Sequence, residues 1–243
     1  GSVNGGVIAA TSAIRATILD TDLDHWTLEI AHAGSDTFAL LATGTTPILS
    51  TQNSALSTLD PAGFSNGFYR LKLTAEDVAG RRAVTEAIVE VRSATKTQQF
   101  TRTETDLSVT LDGHVFNLVR QYDSLSASLI TDHSSQSFGN GWRLANRDVN
   151  VETDVPPTGR EEFGVVNSFR VGTRLYLTLP TGERVGYTFA PTQQTVNGVT
   201  YDEPKWVADP GVNAQLETRN TKLLRAGDRF FDFQTGEAYN PTN

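Results

Sequence analysis

The sequence predicts an all-β chain with two antiparallel β-rich domains in tandem. Apolar residues recur with a period of two rather than 3.6, as in Arg174-Leu175-Tyr176-Leu177-Thr178-Leu179. Turn-forming pairs such as Asn66-Gly67, Asp112-Gly113 and Asn197-Gly198 punctuate those runs. Residues 7–93 contain no convincing amphipathic helical stretch, so the first block reads as strands throughout.

Residues 7–19 alternate apolar with small polar residues and suit one or two strands, until Asp20-Thr21-Asp22-Leu23-Asp24 breaks the pattern. His25–Ile30 and Thr37–Leu41 follow as strands around a turn containing Gly34. After a Ser/Thr-rich interval, Asn66-Gly67 leads into Phe68–Ala75, Asp77 to Gly80 turns, and Ala83–Val91 returns. Strands at this spacing predict a small antiparallel sandwich over residues 1–93. The segment Asn66-Gly67-Phe68-Tyr69-Arg70-Leu71, running on into Ala75-Glu76-Asp77-Val78-Ala79-Gly80, resembles immunoglobulin-like and fibronectin-III-like modules of bacterial surface proteins.

Residues 94–103, opening on the polar run Ala94–Gln99, read as a linker. A second β-rich domain is expected over 104–243, truncated at its C-terminal end. Asp112-Gly113 favours the positive φ angles of a tight hairpin between Thr105–Leu111 and His114–Tyr122. Pro180-Thr181-Gly182-Glu183 joins Arg174–Leu179 to Arg184–Phe189 in the clearest hairpin of the chain. Asn197-Gly198 marks another turn, and Ala226-Gly227-Asp228 separates a late strand pair.

Within this block, Arg120-Gln121-Tyr122-Asp123-Ser124 and Phe138-Gly139-Asn140-Gly141-Trp142 stand out, followed by Gly172–Pro180. In that order they resemble the region that precedes and begins the repeats of bacterial RHS/YD-repeat proteins, whose regular forms are R-x-Y-D-S and F-G-x-G-W. The resemblance implies a large secreted or cell-surface parent whose β-hairpins wind into a hollow shell, sometimes around a C-terminal toxin. It assigns this portion a scaffold role, with the remainder of the parent chain as its partner. Gly1-Ser2 resembles a tag scar and the chain holds no Met, so it reads as an excised fragment.

Read for physical chemistry alone, Tyr122 and Trp142 supply apolar bodies with polar tips suited to closing a sheet. Gly139 and Gly141 let the chain turn closely beside them. Arg120 and Asp123 are expected to form a charge pair.

A net charge of −8 opposes a phosphate-tracking nucleic-acid surface. The absence of Cys excludes thiolate catalysis and Cys-based zinc sites, and no apolar run reaches bilayer-spanning length. Asp20, Asp22 and Asp24 begin like an EF-hand loop, but His25 occupies the glycine position and Ala31 the position of the bidentate Glu. A different calcium site would need Asp77 from the facing turn. The histidines His25, His32, His114 and His133 lack H-x₃-H or H-E-x-x-H spacing, and no G-x-S-x-G elbow occurs. Trp26 and Trp206 are the candidates for stacking on a sugar, with core packing the competing fate. The expectation is therefore a non-enzymatic structural or capping module of an RHS/YD-type protein without a cofactor. The alternative is an adhesin-like binding module for a glycan or protein, rigidified by calcium.

Overall fold

The computed structural model describes residues 5–47, 55–128, 139–218 and 221–242. It is an all-β chain of several mainly antiparallel sheets with one short α-helix among the described residues. Two compact units emerge: Val3–Asp148 with Pro180–Gly182, and Val149–Leu179 with Glu183–Asn243. The division thus falls after Asp148, not in the linker expected at residues 94–103. Residues 104–148, expected in the second domain, belong to the first unit. Part of that linker is held down locally, because Lys96 Nζ donates to the Pro61 carbonyl at 3.0 Å.

In the first unit, β1 (Val7–Ile8), β3 (Leu23–His32), β4 (Ala39–Gly44), β6 (Gly67–Asp77) and β7 (Arg82–Val91) form one sheet in the order β1-β7-β6-β3-β4. Only β1 runs parallel to its neighbour, β7. Alternation along β3 buries Trp26, Leu28 and Ile30, and alternation along β6 buries Tyr69, Leu71 and Leu73. Registry places Leu28 opposite Leu73 and Ile30 opposite Leu71. Each such side chain contributes about 1.5–3 kcal/mol on leaving water.

The second layer is the antiparallel pair β2 (Ser12–Arg15) and β5 (Ala55–Leu59), which adds Leu56 and Leu59 to the same cores. Alternation in the sequence does not mark β5, since Leu56 and Leu59 lie three apart. A bulge explains the spacing: Ser57 pairs with Ile14 and Ala55 with Arg15, leaving Leu56 as the extra residue.

A three-stranded sheet completes this unit, in the order β10 (Trp142–Leu144), β9 (His114–Asp123), β8 (Thr101–Leu111). The β8–β9 turn is Asp112-Gly113 as expected, with φ of 49° and 79°. Helix α1 (Ser124–Ser128) follows β9.

The second unit has two four-stranded antiparallel sheets. One runs β11 (Glu152–Thr153), β12 (Arg174–Thr178), β13 (Arg184–Phe189), β16 (Trp206–Ala208). The other runs β14 (Thr192–Val196), β15 (Val199–Glu203), β17 (Leu223–Ala226), β18 (Arg229–Asp232). All three hairpins expected here form, at β12–β13, β14–β15 and β17–β18. The core is aromatic: the Phe189 ring lies 5.2 Å from Trp206, 5.4 Å from Phe230 and 5.6 Å from Tyr239. Such ring pairs add about 0.5–1.5 kcal/mol each beyond area burial.

Candidate functional site

Arg120–Tyr122 and Trp142–Leu144 come together as the β9–β10 pair. Tyr122 pairs across strands with Trp142, their rings 5.4 Å apart, and Phe100 adds a third ring 6.2 Å from Tyr122. Gly139 and Gly141, at φ of 96° and 78°, make the turn that delivers Trp142, and Trp142 N donates to the Gly139 carbonyl at 3.1 Å. Phe138 lies outside the described residues.

The expected Arg120–Asp123 pair does not form. Residues three apart on a strand point to opposite faces. Arg120 instead meets Asp106 of β8 at 2.6 Å and lies 4.8 Å over the Trp142 ring. Asp123 accepts the Leu125 N–H at 2.9 Å and so caps the start of α1. Arg143 is buried beside them and donates to the carbonyls of Ala145 and Asp148 and to Gln121 Oε1. Burial pushes its pKa down, opposed by the carboxylates of Asp148 and Asp123. These groups are engaged in holding chain segments together.

The acidic residues considered for calcium are likewise engaged elsewhere. Asp77 Oδ1 accepts the N–H groups of Ala79 and Arg81 at 2.9 Å each, and Oδ2 meets Arg81 Nε at 2.5 Å. These bonds, led by the Arg81 N–H, hold its carboxyl below the usual range. Asp20 Oδ1 accepts the Asp22 N–H, and Asp24 faces His25 Nδ1, both at 2.9 Å. Among the described residues no three His or acidic side chains converge as a metal-ligand set. His32 packs edge-on against Tyr69, His114 opens β9, and His133 lies outside the described residues.

Neither candidate tryptophan offers a ring face to a ligand. Trp26 is buried beside Gly44 and donates to the Thr46 carbonyl at 3.3 Å, and Trp206 is buried in the aromatic core of the second unit. Both take the core fate set against stacking in the sequence.

The surface that stands out is the distal β8–β9 ribbon. Registry sets Leu107 opposite Leu118, Val109 opposite Phe116 and Leu111 opposite His114, so these six side chains share one face. Leu107, Leu111 and Phe116 are each more than half exposed. Strand β8 is a sheet edge, and β10 covers only Arg120–Tyr122 of β9. Along Leu107–Leu118 the ribbon therefore shows an apolar face and two open backbone edges among the described residues. Its alternation is legible in the sequence, but alternation reports a shared face, not what covers it. Among the described residues no helix is long and apolar enough to cross a membrane.

No protein-family model, curated protein or solved structure matches this chain.

Proposed function

We propose that this chain is a non-enzymatic structural module that caps or spaces further β structure in a large secreted or surface protein of RHS/YD-repeat type. The observation that carries the reading is the β8–β9 ribbon, with its exposed Leu107, Val109, Leu111, Phe116 and Leu118 and its open edges. Natural sheets blunt such edges with charges, proline or bulges when they remain in water. Beyond the bulge at Asp106, the distal ribbon has only Asp112 and His114 at its turn, so additional strands are its fitting neighbours.

The strand order of the first unit supports an immunoglobulin-like reading of residues 1–93. One layer of five strands faces a two-stranded layer, and the first strand joins the last in parallel. The arrangement corresponds to a GFC-type sheet opposite a BE-type pair. The engaged polar groups of the Arg120–Leu144 joint support a scaffold role for that stretch.

The test is amide exchange of Leu107–Leu118 in the isolated chain and in the longer parent protein. Docking of further strands slows exchange at the outward-facing amides of both ribbon edges in the parent. Equal, fast exchange in both proteins rejects the reading.

A further inference from the structure

The second unit contains a pocket of about 280 Å³, lined by Asn167, Ser168, Arg170, Thr173 and Arg229 and by apolar groups such as Val155. Arg170 and Arg229 are partners in an isolated antiparallel bridge, so both side chains leave the same face of the backbone. Two like charges directly opposite each other repel unless an anion lies between them. Arg170 meets Asp228 at 3.3 Å, with both groups more than half exposed, a pairing that a competing carboxylate displaces at little cost. Arg229 has no acidic partner among the described residues.

The rest of the lining adds different chemistry. The Ser168 hydroxyl is buried with no hydrogen-bond partner, whereas buried hydroxyls normally have one. Asp154, which takes the Arg174 N–H at 3.0 Å, is engaged within the unit. The pocket thus combines a guanidinium pair for an oxyanion with an unsatisfied hydroxyl that can donate to or accept from a ligand O–H. It is smaller than typical sites for drug-sized ligands, which suits a single sugar ring.

We propose that this pocket binds a small hydroxylated carboxylate of the hexuronate class. The carboxylate bridges Arg170 and Arg229, while a ring hydroxyl meets Ser168. Guanidinium groups match carboxylates geometrically, and one with two hydrogen bonds is held more firmly than by a point charge. The inference is independent of the capping role, since it concerns a different unit and a different surface.

Titration of the full 243-residue chain with glucuronate, glucose and inorganic phosphate, followed by amide chemical shifts, tests it. The expected result is saturable glucuronate binding, with shifts at Ser168, Arg170 and Arg229 and no saturable response to glucose. Arg229→Gln, on an exposed side chain, is expected to weaken binding roughly tenfold with an unchanged melting temperature. Ser168→Ala supplies a second variant that removes only the unsatisfied hydroxyl, and it weakens glucuronate without creating phosphate binding. No saturable glucuronate response, wild-type affinity in Arg229→Gln, or equal affinity for phosphate and glucuronate overturns the proposal.

Discussion

Arg174 and Asp209 form a two-pronged pair in the second unit, Nη1 to Oδ1 and Nη2 to Oδ2, each at 2.7 Å. The guanidinium also donates to Thr188 Oγ1 at 2.7 Å and Tyr176 Oη at 2.9 Å, and both ionic side chains are largely buried. Asp209→Ala removes this two-pronged partner from a buried guanidinium and is expected to destabilise the chain by about 3–5 kcal/mol. Urea unfolding measures this. Replacing both partners, as in Arg174→Met with Asp209→Ala, is expected to cost less than the single change.

Gly186 is what leaves room for that pair. It sits opposite Tyr176 in the β12–β13 ladder, and a Cβ there would collide with Asp209 Oδ2 and lie 2.7 Å from the Tyr176 ring. Gly186→Ala is expected to cost about 1–3 kcal/mol through overpacking. Because both changes disturb one network, its cost combined with Asp209→Ala falls below the sum of the two. Strict additivity in a double-mutant cycle contradicts the geometry.

Lys96 gives the first unit a pH dependence on the alkaline side. Burial lowers its pKa from the ordinary 10.5 to about 8, with Asp123 and Asp60 opposing the shift. Between those values the unfolded chain binds more protons than the folded one, so stability rises with pH from about 8 to 10.5. Denaturant midpoints across that range should show the rise in the wild type and lose this component in Lys96→Met.

Asp77 acts at the acid end. Its depressed carboxyl pKa stabilises the fold above the ordinary carboxylate value, and that contribution disappears as pH falls through the folded value. Asp77→Asn should therefore melt lower than wild type at about pH 6, with the gap closing towards about pH 2. Since both carboxylate oxygens already accept N–H groups, added calcium is expected to leave the wild-type melting temperature unchanged. A calcium-dependent rise that disappears in Asp77→Asn contradicts this.

Local chemistry makes much of this fold legible in the order of residues alone. Asp112-Gly113 and Asn197-Gly198 take the positive φ angles of tight turns, and Leu175, Val185, Tyr187 and Phe189 enter the core that period-two patterning assigns to them. These features depend on a few neighbouring residues, so sequence alone determines them. Strand β5 stays hidden because a bulge, a property of two paired strands, shifts Leu56 out of simple alternation.

Partner choice is decided only by the tertiary structure. Sequence proximity suggests Arg120 with Asp123, while strand geometry separates them and pairing of β8 with β9 brings Asp106 to the arginine. The same holds for Arg174 and Asp209, 35 residues apart, and for Arg170 facing Arg229 across a bridge. Composition and spacing determine that the chain is all-β and where it turns, because those follow from backbone preference and side-chain alternation. Which charges meet, which aromatic rings are buried and which apolar face stays open depend on distant segments converging, and only the folded chain brings those segments together.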